Sequence, residues 1–126
     1  MSEFAFDRTQ RLLGKDGMER LKQSHVAVFG IGGVGGYAVE ALARSGIGAL
    51  TLVDHDRVEA SNLNRQIIAL HSTLGEFKVD AAAARVFDIA PHCRVSNHRC
   101  FFPEKSEKNG FAFVIWQKQK FVRWHV

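Results

Sequence analysis

Five glycines in seven residues, Gly30-Ile31-Gly32-Gly33-Val34-Gly35-Gly36, constrain this chain more than any other feature. They follow directly on the apolar, β-branched run His25-Val26-Ala27-Val28-Phe29, and a helical repeat of Val34, Ala38, Ala41 and Leu42 follows them. A strand that turns this tightly into a helix needs residues without a Cβ. Gly30, Gly32 and Gly35 carry the G-x-G-x-x-G spacing, which serves a tight turn, close approach of the backbone to a phosphate, and close packing of helix on strand. The helix N-terminus then presents free N–H groups and the positive end of its dipole to an anion. A close-packed turn without a ligand would use the same glycines, but the strand before and helix after favour a nucleotide site. Gly33 belongs to it with Gly30, Gly32 and Gly35.

A second strand supports this reading. Gly46 and Gly48 end the helix near Ser45, and Ala49-Leu50-Thr51-Leu52-Val53 follows as a strand. Strand, helix and strand form a right-handed βαβ unit with parallel strands. Asp54 closes the second strand, 24 residues after Gly30, near where a dinucleotide fold places the acid that binds ribose. Aspartate is also a common turn residue at strand ends.

The remaining elements are shorter. Residues 4–13 suggest a helix ending near Gly14, and Met18–Gln23 one or two further helical turns. Both lie before the first strand as an appendage. Residues 55–77 carry no long period but are dense in polar side chains, as befits a loop over a ligand crevice. The alanine-rich stretch Lys78–Asp88 is a helix stopped by Pro91. Val95 and its neighbours make a short strand. Phe111–Ile115, wholly apolar, makes another, placed centrally. Residues 103–110 form a charged surface loop.

The fold class is therefore α/β: a Rossmann-like nucleotide-binding domain over residues 1–115 with a mainly parallel sheet and N-terminal helices, incomplete at the C-terminus. With 126 residues there is room for one half of a doubly wound sheet. The formal net charge is +4, of which Lys118, Lys120 and Arg123 supply three, so the body has no concentrated basic stripe. No run approaches the ~20 apolar residues that span a membrane. Cys93 and Cys100 lack C-x-x-C spacing and read as thiols in a reducing, cytoplasmic setting. The histidines show no paired metal spacing, and no metal ligands are assigned.

Four stretches in sequence are more specific than the glycine turn alone: Gly30 to Gly35; Asp54-His55-Asp56-Arg57-Val58-Glu59; Ser61-Asn62-Leu63-Asn64-Arg65-Gln66; and Gly75 to Lys78. Together they resemble the E1-like superfamily of ATP-dependent adenylating enzymes, which includes the activators of ubiquitin-like and sulfur-carrier proteins. Within it, Ala41 to Gly48 and Asn64 to Leu70 look most like the branch that dehydrates threonylcarbamoyladenosine in tRNA. The likeness covers about residues 6–100.

The resemblance implies ATP as cofactor, with a carboxylate attacking its α-phosphate and pyrophosphate leaving. Negative charge builds on phosphate oxygens in such a step, so cations must be held there. Arg65 and Lys78 would serve the phosphates, Asp54 the ribose, and Asp56, Asn62 and Gln66 would shape the site. Arg8 matches an arginine that in the family reaches the ATP of the partner subunit, which implies a homodimer. The implied substrate is tRNA, whose modified adenosine closes a ring on loss of AMP; the alternative is the C-terminus of a small carrier protein. Taken as residues alone, Arg65 and Lys78 equally suit surface cations, Asp56 a turn former, and His71 a structural role.

The sequence also departs from the family. After Phe111-Ala112-Phe113-Val114-Ile115 the family continues with an acidic segment, one acid of which is expected to hold Mg²⁺ on the phosphates. Here Trp116 to Val126 contains no acid. Residues 116–126 read as a divergent tail, disordered or packed on a partner chain, and pyrophosphate release by these 126 residues is expected near background. Two readings from other classes stay open: an NAD-dependent oxidoreductase, which has no need of Arg65 and Lys78, and a non-catalytic nucleotide-binding fragment.

Overall fold

The structure is a computed structural model that describes residues 5–100, with the backbone of 112–117 and 120–125. Its elements run α1 (Asp7–Gln23), β1 (His25–Phe29), α2 (Gly33–Ser45), β2 (Ala49–Val53), α3 (Lys78–Ile89), β3 (Arg94–His98), β4 (Ala112–Gln117) and β5 (Lys120–His125), with short 3-10 turns at Ala60–Asn62 and His71–Thr73. Helix α1 breaks at Gly14, whose φ of +75° lies in the region open to glycine. The two N-terminal helical segments are therefore real, separated where the glycine stands.

The sheet has the order β3-β2-β1-β4-β5. Strands β1, β2 and β3 are parallel, His25 facing Ala49 and Ala49 facing Arg94. Both crossovers step in the same direction, so right-handedness puts α2 and α3 on the same face. They are joined there by Glu40 of α2 and Arg85 of α3, whose Nε and Nη2 donate to the carboxylate at 2.6 and 3.1 Å. Beneath them Val28, Ile31, Leu50, Leu52, Val79 and Val86 are almost fully buried and form one core with Val39, Ala43, Ile47 and Ala82.

The C-terminal part differs from the sequence expectation. Strand β4 lies inside the sheet, as its apolar run predicts, but runs antiparallel to β1, Phe29 facing Ala112. The expectation of a disordered or partner-bound tail fails for 120–125: their backbone forms β5, paired antiparallel with β4. Phe121, Val122 and Trp124 are strong strand formers, and an unpaired β4 edge recruits them. The charged stretch 103–110 lies outside the described residues, as do the side chains of the tail.

Gly48 also has a different role from the one the sequence suggests. It is less a helix stop than a contact point: a Cβ there would meet the carbonyl oxygen of Lys22 at 1.8 Å. Its N–H donates to the Leu21 carbonyl at 3.0 Å, which ties the end of α1 to the start of β2. The helix stop is Gly46, left-handed at φ 94°.

Candidate nucleotide site

The site forms at the carboxyl ends of the parallel strands, where an open α/β sheet binds its ligands. Gly30 leaves β1 with φ 86° and donates its N–H to the Val53 carbonyl at 2.8 Å, holding the turn against β2. At Gly35 a Cβ would stand 1.7 Å from the Gly30 carbonyl oxygen, so α2 can lie this close to the turn only with glycine there. A Cβ at Gly33 would meet nothing within 4 Å. That glycine leaves backbone open on the outer side of the turn, as a phosphate needs. Gly32, the N-cap of α2, supplies no side-chain acceptor, so no side chain of its own caps the first-turn amides. Its φ is −100°, which is not a glycine-only angle.

Four polar side chains are buried among the described residues: Asp54, Asn62, Gln66 and Lys78. All four are among those the sequence singles out. Asp54 takes the Ile31 N–H on Oδ2 at 2.6 Å and the Asp56 N–H on Oδ1 at 2.7 Å. It thus clamps the glycine turn to the loop after β2, a framing task beyond the ribose contact its position suggests. Asn62 likewise has a local duty, its Oδ1 accepting the Glu59 N–H at 2.8 Å. The Gln66 Oε1 is buried with no hydrogen-bond partner. An unsatisfied buried acceptor costs roughly 1–3 kcal/mol, which a donor on a ligand would recover.

Lys78 is the most informative of the four. It opens α3 and is only 7% exposed, so it is no solvated surface cation. A cation in the first turn opposes the helix dipole, and its carboxylate neighbour, Asp56 Oδ2, stands 3.9 Å from Nζ, beyond a hydrogen bond. Its backbone N–H donates to the Asp56 carbonyl at 3.0 Å. A buried, loosely paired ammonium beside an open helix N-terminus suits a polyanion. Arg65, by contrast, is exposed, its Nη1 donating to the Ser61 carbonyl and to Asn64 Oδ1. Arg8 is exposed on the first turn of α1, beside Phe6. Phe6 packs near Gly46 and His92 at the amino ends of the strands. Within one chain Arg8 is therefore not brought to the glycine turn. A cavity of about 290 Å³ lined by Phe6, Met18, Lys22 and His92 lies at that same end and contains none of the site residues.

The structure adds one arrangement that histidine spacing did not suggest. Asp54, His55 and Asp56 bring potential metal-binding atoms within 4.8 Å of one another. These residues fit Mg²⁺ poorly. Both Asp54 oxygens already accept N–H groups, Asp56 Oδ1 is 3.0 Å from His55 Nε2, and imidazole is a poor ligand for a hard cation.

With the geometry in place, comparison with known proteins is specific. The profile of the ThiF family matches residues 6–119. The tRNA threonylcarbamoyladenosine dehydratase of Bacillus subtilis is 49% identical over 110 residues, covering 87% of this chain and 43% of that protein. The molybdopterin-synthase adenylyltransferase of Escherichia coli is 43% identical over 81 residues, covering 64% of this chain and 32% of that one. The crystal structure of the E. coli tRNA N6-threonylcarbamoyladenosine dehydratase in complex with ATP superposes with a TM-score of 0.78 at 44% identity, covering 81% of this chain and 42% of the other. The chain thus spans less than half the length of these relatives.

Proposed function

The chain belongs to the ThiF family, and from that premise we propose that it binds ATP and adenylates a carboxylate, that of N6-threonylcarbamoyladenosine in tRNA. The observation that carries the reading is Lys78, buried and loosely paired with Asp56, whose N–H is accepted by the same Asp54 that holds the glycine turn. The similar E. coli dehydratase has been crystallised with ATP and with AMP.

In this reading the amides at the start of α2 and the Lys78 ammonium hold the phosphates, and Arg65 swings from its local carbonyl partners to join them. Gly30, Gly32, Gly33 and Gly35 keep the turn narrow and open to the phosphates. Asp54 fixes the turn and meets the ribose, Asp56 sets Lys78 through its carbonyl, and Asn62 holds the loop that carries Arg65. Gln66 offers its unpartnered Oε1 to a donor of the nucleotide. The substrate carboxylate attacks the α-phosphorus and the bond to pyrophosphate breaks, giving a mixed anhydride. A nucleophile of the same modified base then attacks the activated carbonyl carbon and AMP leaves as the ring closes, so one water is lost overall. The protein contributes position and charge, with no covalent protein intermediate. The family leads one to expect Mg²⁺ on the phosphates, but no step here is assigned to it. Arg8, at the far end of the chain's own sheet, would act on the site of a second copy in a homodimer, in the cytoplasm.

A second reading, adenylation of the C-terminus of a small carrier protein, rests on the likeness to the molybdopterin-synthase adenylyltransferase. Binding in the presence of ATP separates the two. tRNA carrying the modified adenosine should bind more tightly than unmodified tRNA or a carrier protein. Preference for the carrier would replace the tRNA reading by the second one.

A further inference from the structure

Beside the nucleotide site two arginines share one aromatic ring. The Arg57 guanidinium lies 3.9 Å from the centroid of Phe77, and that of Arg99 lies 4.5 Å from it. Both arginines are exposed. Their backbone positions tie them to the site. Arg57 follows Asp56 and pairs with Phe77 across an antiparallel bridge, and Phe77 is the residue before Lys78. Arg99 follows His98, whose carbonyl accepts the Asp54 N–H at 3.2 Å.

Among the described residues the two arginines differ in their partners. Arg99 Nη2 is 2.5 Å from Asp80 Oδ2, an acid that also accepts Asn97 Nδ2 at 3.3 Å. Arg57 Nη1 donates to the Gly75 carbonyl at 2.8 Å, a partner without charge. The exposed acids Glu59 and Glu76 flank these segments, yet among the described residues neither pairs with Arg57 or Arg99. Of the two guanidiniums over the ring, Arg99 is paired with a carboxylate and Arg57 has a neutral partner, so Arg57 is the one with charge to offer an anion. Each guanidinium is held through one nitrogen and by the ring, so other N–H edges remain for a second partner.

We propose that the Arg57–Phe77–Arg99 stack is a docking surface for RNA, a single-stranded stretch of the tRNA substrate, next to the phosphate site. This rests on the tRNA reading above. Single-stranded RNA presents alternating phosphates and unstacked bases, and arginine planes take both: the edge binds phosphate and the face stacks a base. A carrier-protein tail brings one carboxylate and has less use for two neighbouring planar cations. Because the ring already orders both side chains, less conformational freedom is lost when RNA binds.

The test uses the full chain with tRNA bearing the modified adenosine, over a range of salt concentrations, and calorimetry with ATP in parallel. Arg57→Ala and Arg99→Ala should each lower tRNA affinity roughly tenfold and reduce the slope of log affinity against log salt by about 1. Arg57→Lys, which preserves charge and fold, should keep the slope and lose part of the affinity. ATP affinity should not change in any of them. If wild-type chain binds tRNA and the variants match it in affinity and slope, the stack is a strut and the proposal falls, with the tRNA reading intact. If ATP affinity drops alongside, the arginines act on the nucleotide site and the proposal also falls. If wild-type chain binds ATP but no tRNA, the proposal and the tRNA reading fall together.

Discussion

A single lysine illustrates how site residues differ from framework residues. Lys78 is buried against its own helix dipole with a loose acid partner, a placement that costs the fold stability and that the proposed phosphate role would account for. Lys78→Met should therefore leave the thermal midpoint of the ligand-free chain unchanged or raise it; a clear drop would make Lys78 a structural residue. Gly35→Ala should behave oppositely. Its Cβ would fall 1.7 Å from the Gly30 carbonyl oxygen, so the variant should be strongly destabilised in thermal unfolding. A stable Gly35→Ala chain would show that α2 can shift away from the turn. The thiols differ too: burial pushes the Cys93 thiol up to about 11, while Cys100 is exposed. At neutral pH, iodoacetamide should label Cys100 far faster than Cys93; equal rates would contradict the burial of Cys93. The motif text singled out Asp54, Asn62, Gln66 and Lys78, all of which the fold buries, but not the framing duties of Asp54 and Asn62. The amides that Asp54 and Asn62 accept come from residues whose approach depends on the folded loop.

At the scale of elements, periodicity and glycine placement were enough for β1, α2, β2 and α3. Each has an apolar run of one period, bounded by a glycine or followed by a proline. The direction of β4 and the existence of β5 were not legible, because strand pairing depends on which edge is free and not on the strand's own residues. The link between α2 and α3 was equally hidden: Glu40 and Arg85 are 45 residues apart. Burial raises the pKa of Glu40, but hydrogen bonds from Arg85 and Arg44 and their charges outweigh it, so the net shift is downward. A carboxylate lowered in the folded state stabilises above its unfolded pKa, and that contribution is lost as pH falls through the folded value. Glu40→Gln should therefore flatten the acid limb of the stability curve and lower stability at neutral pH. An unchanged acid limb would mean that the helix pair does not depend on this ion pair.

At the scale of the whole molecule, the glycine turn, the acid that clamps it and the buried lysine meet at one end of a small parallel sheet. The far end holds α1, with Arg8, and a separate cavity. The central claim is that the first end is built for a polyphosphate. Calorimetric titration of the purified chain with ATP and with NAD, repeated on Lys78→Ala, tests it most directly. ATP should bind more tightly than NAD, and the substitution should cost ATP roughly 1.5–3 kcal/mol, the worth of a hydrogen bond to a charged group, while sparing adenosine. Tighter binding of NAD, or an ATP affinity indifferent to the loss of Lys78, would contradict it.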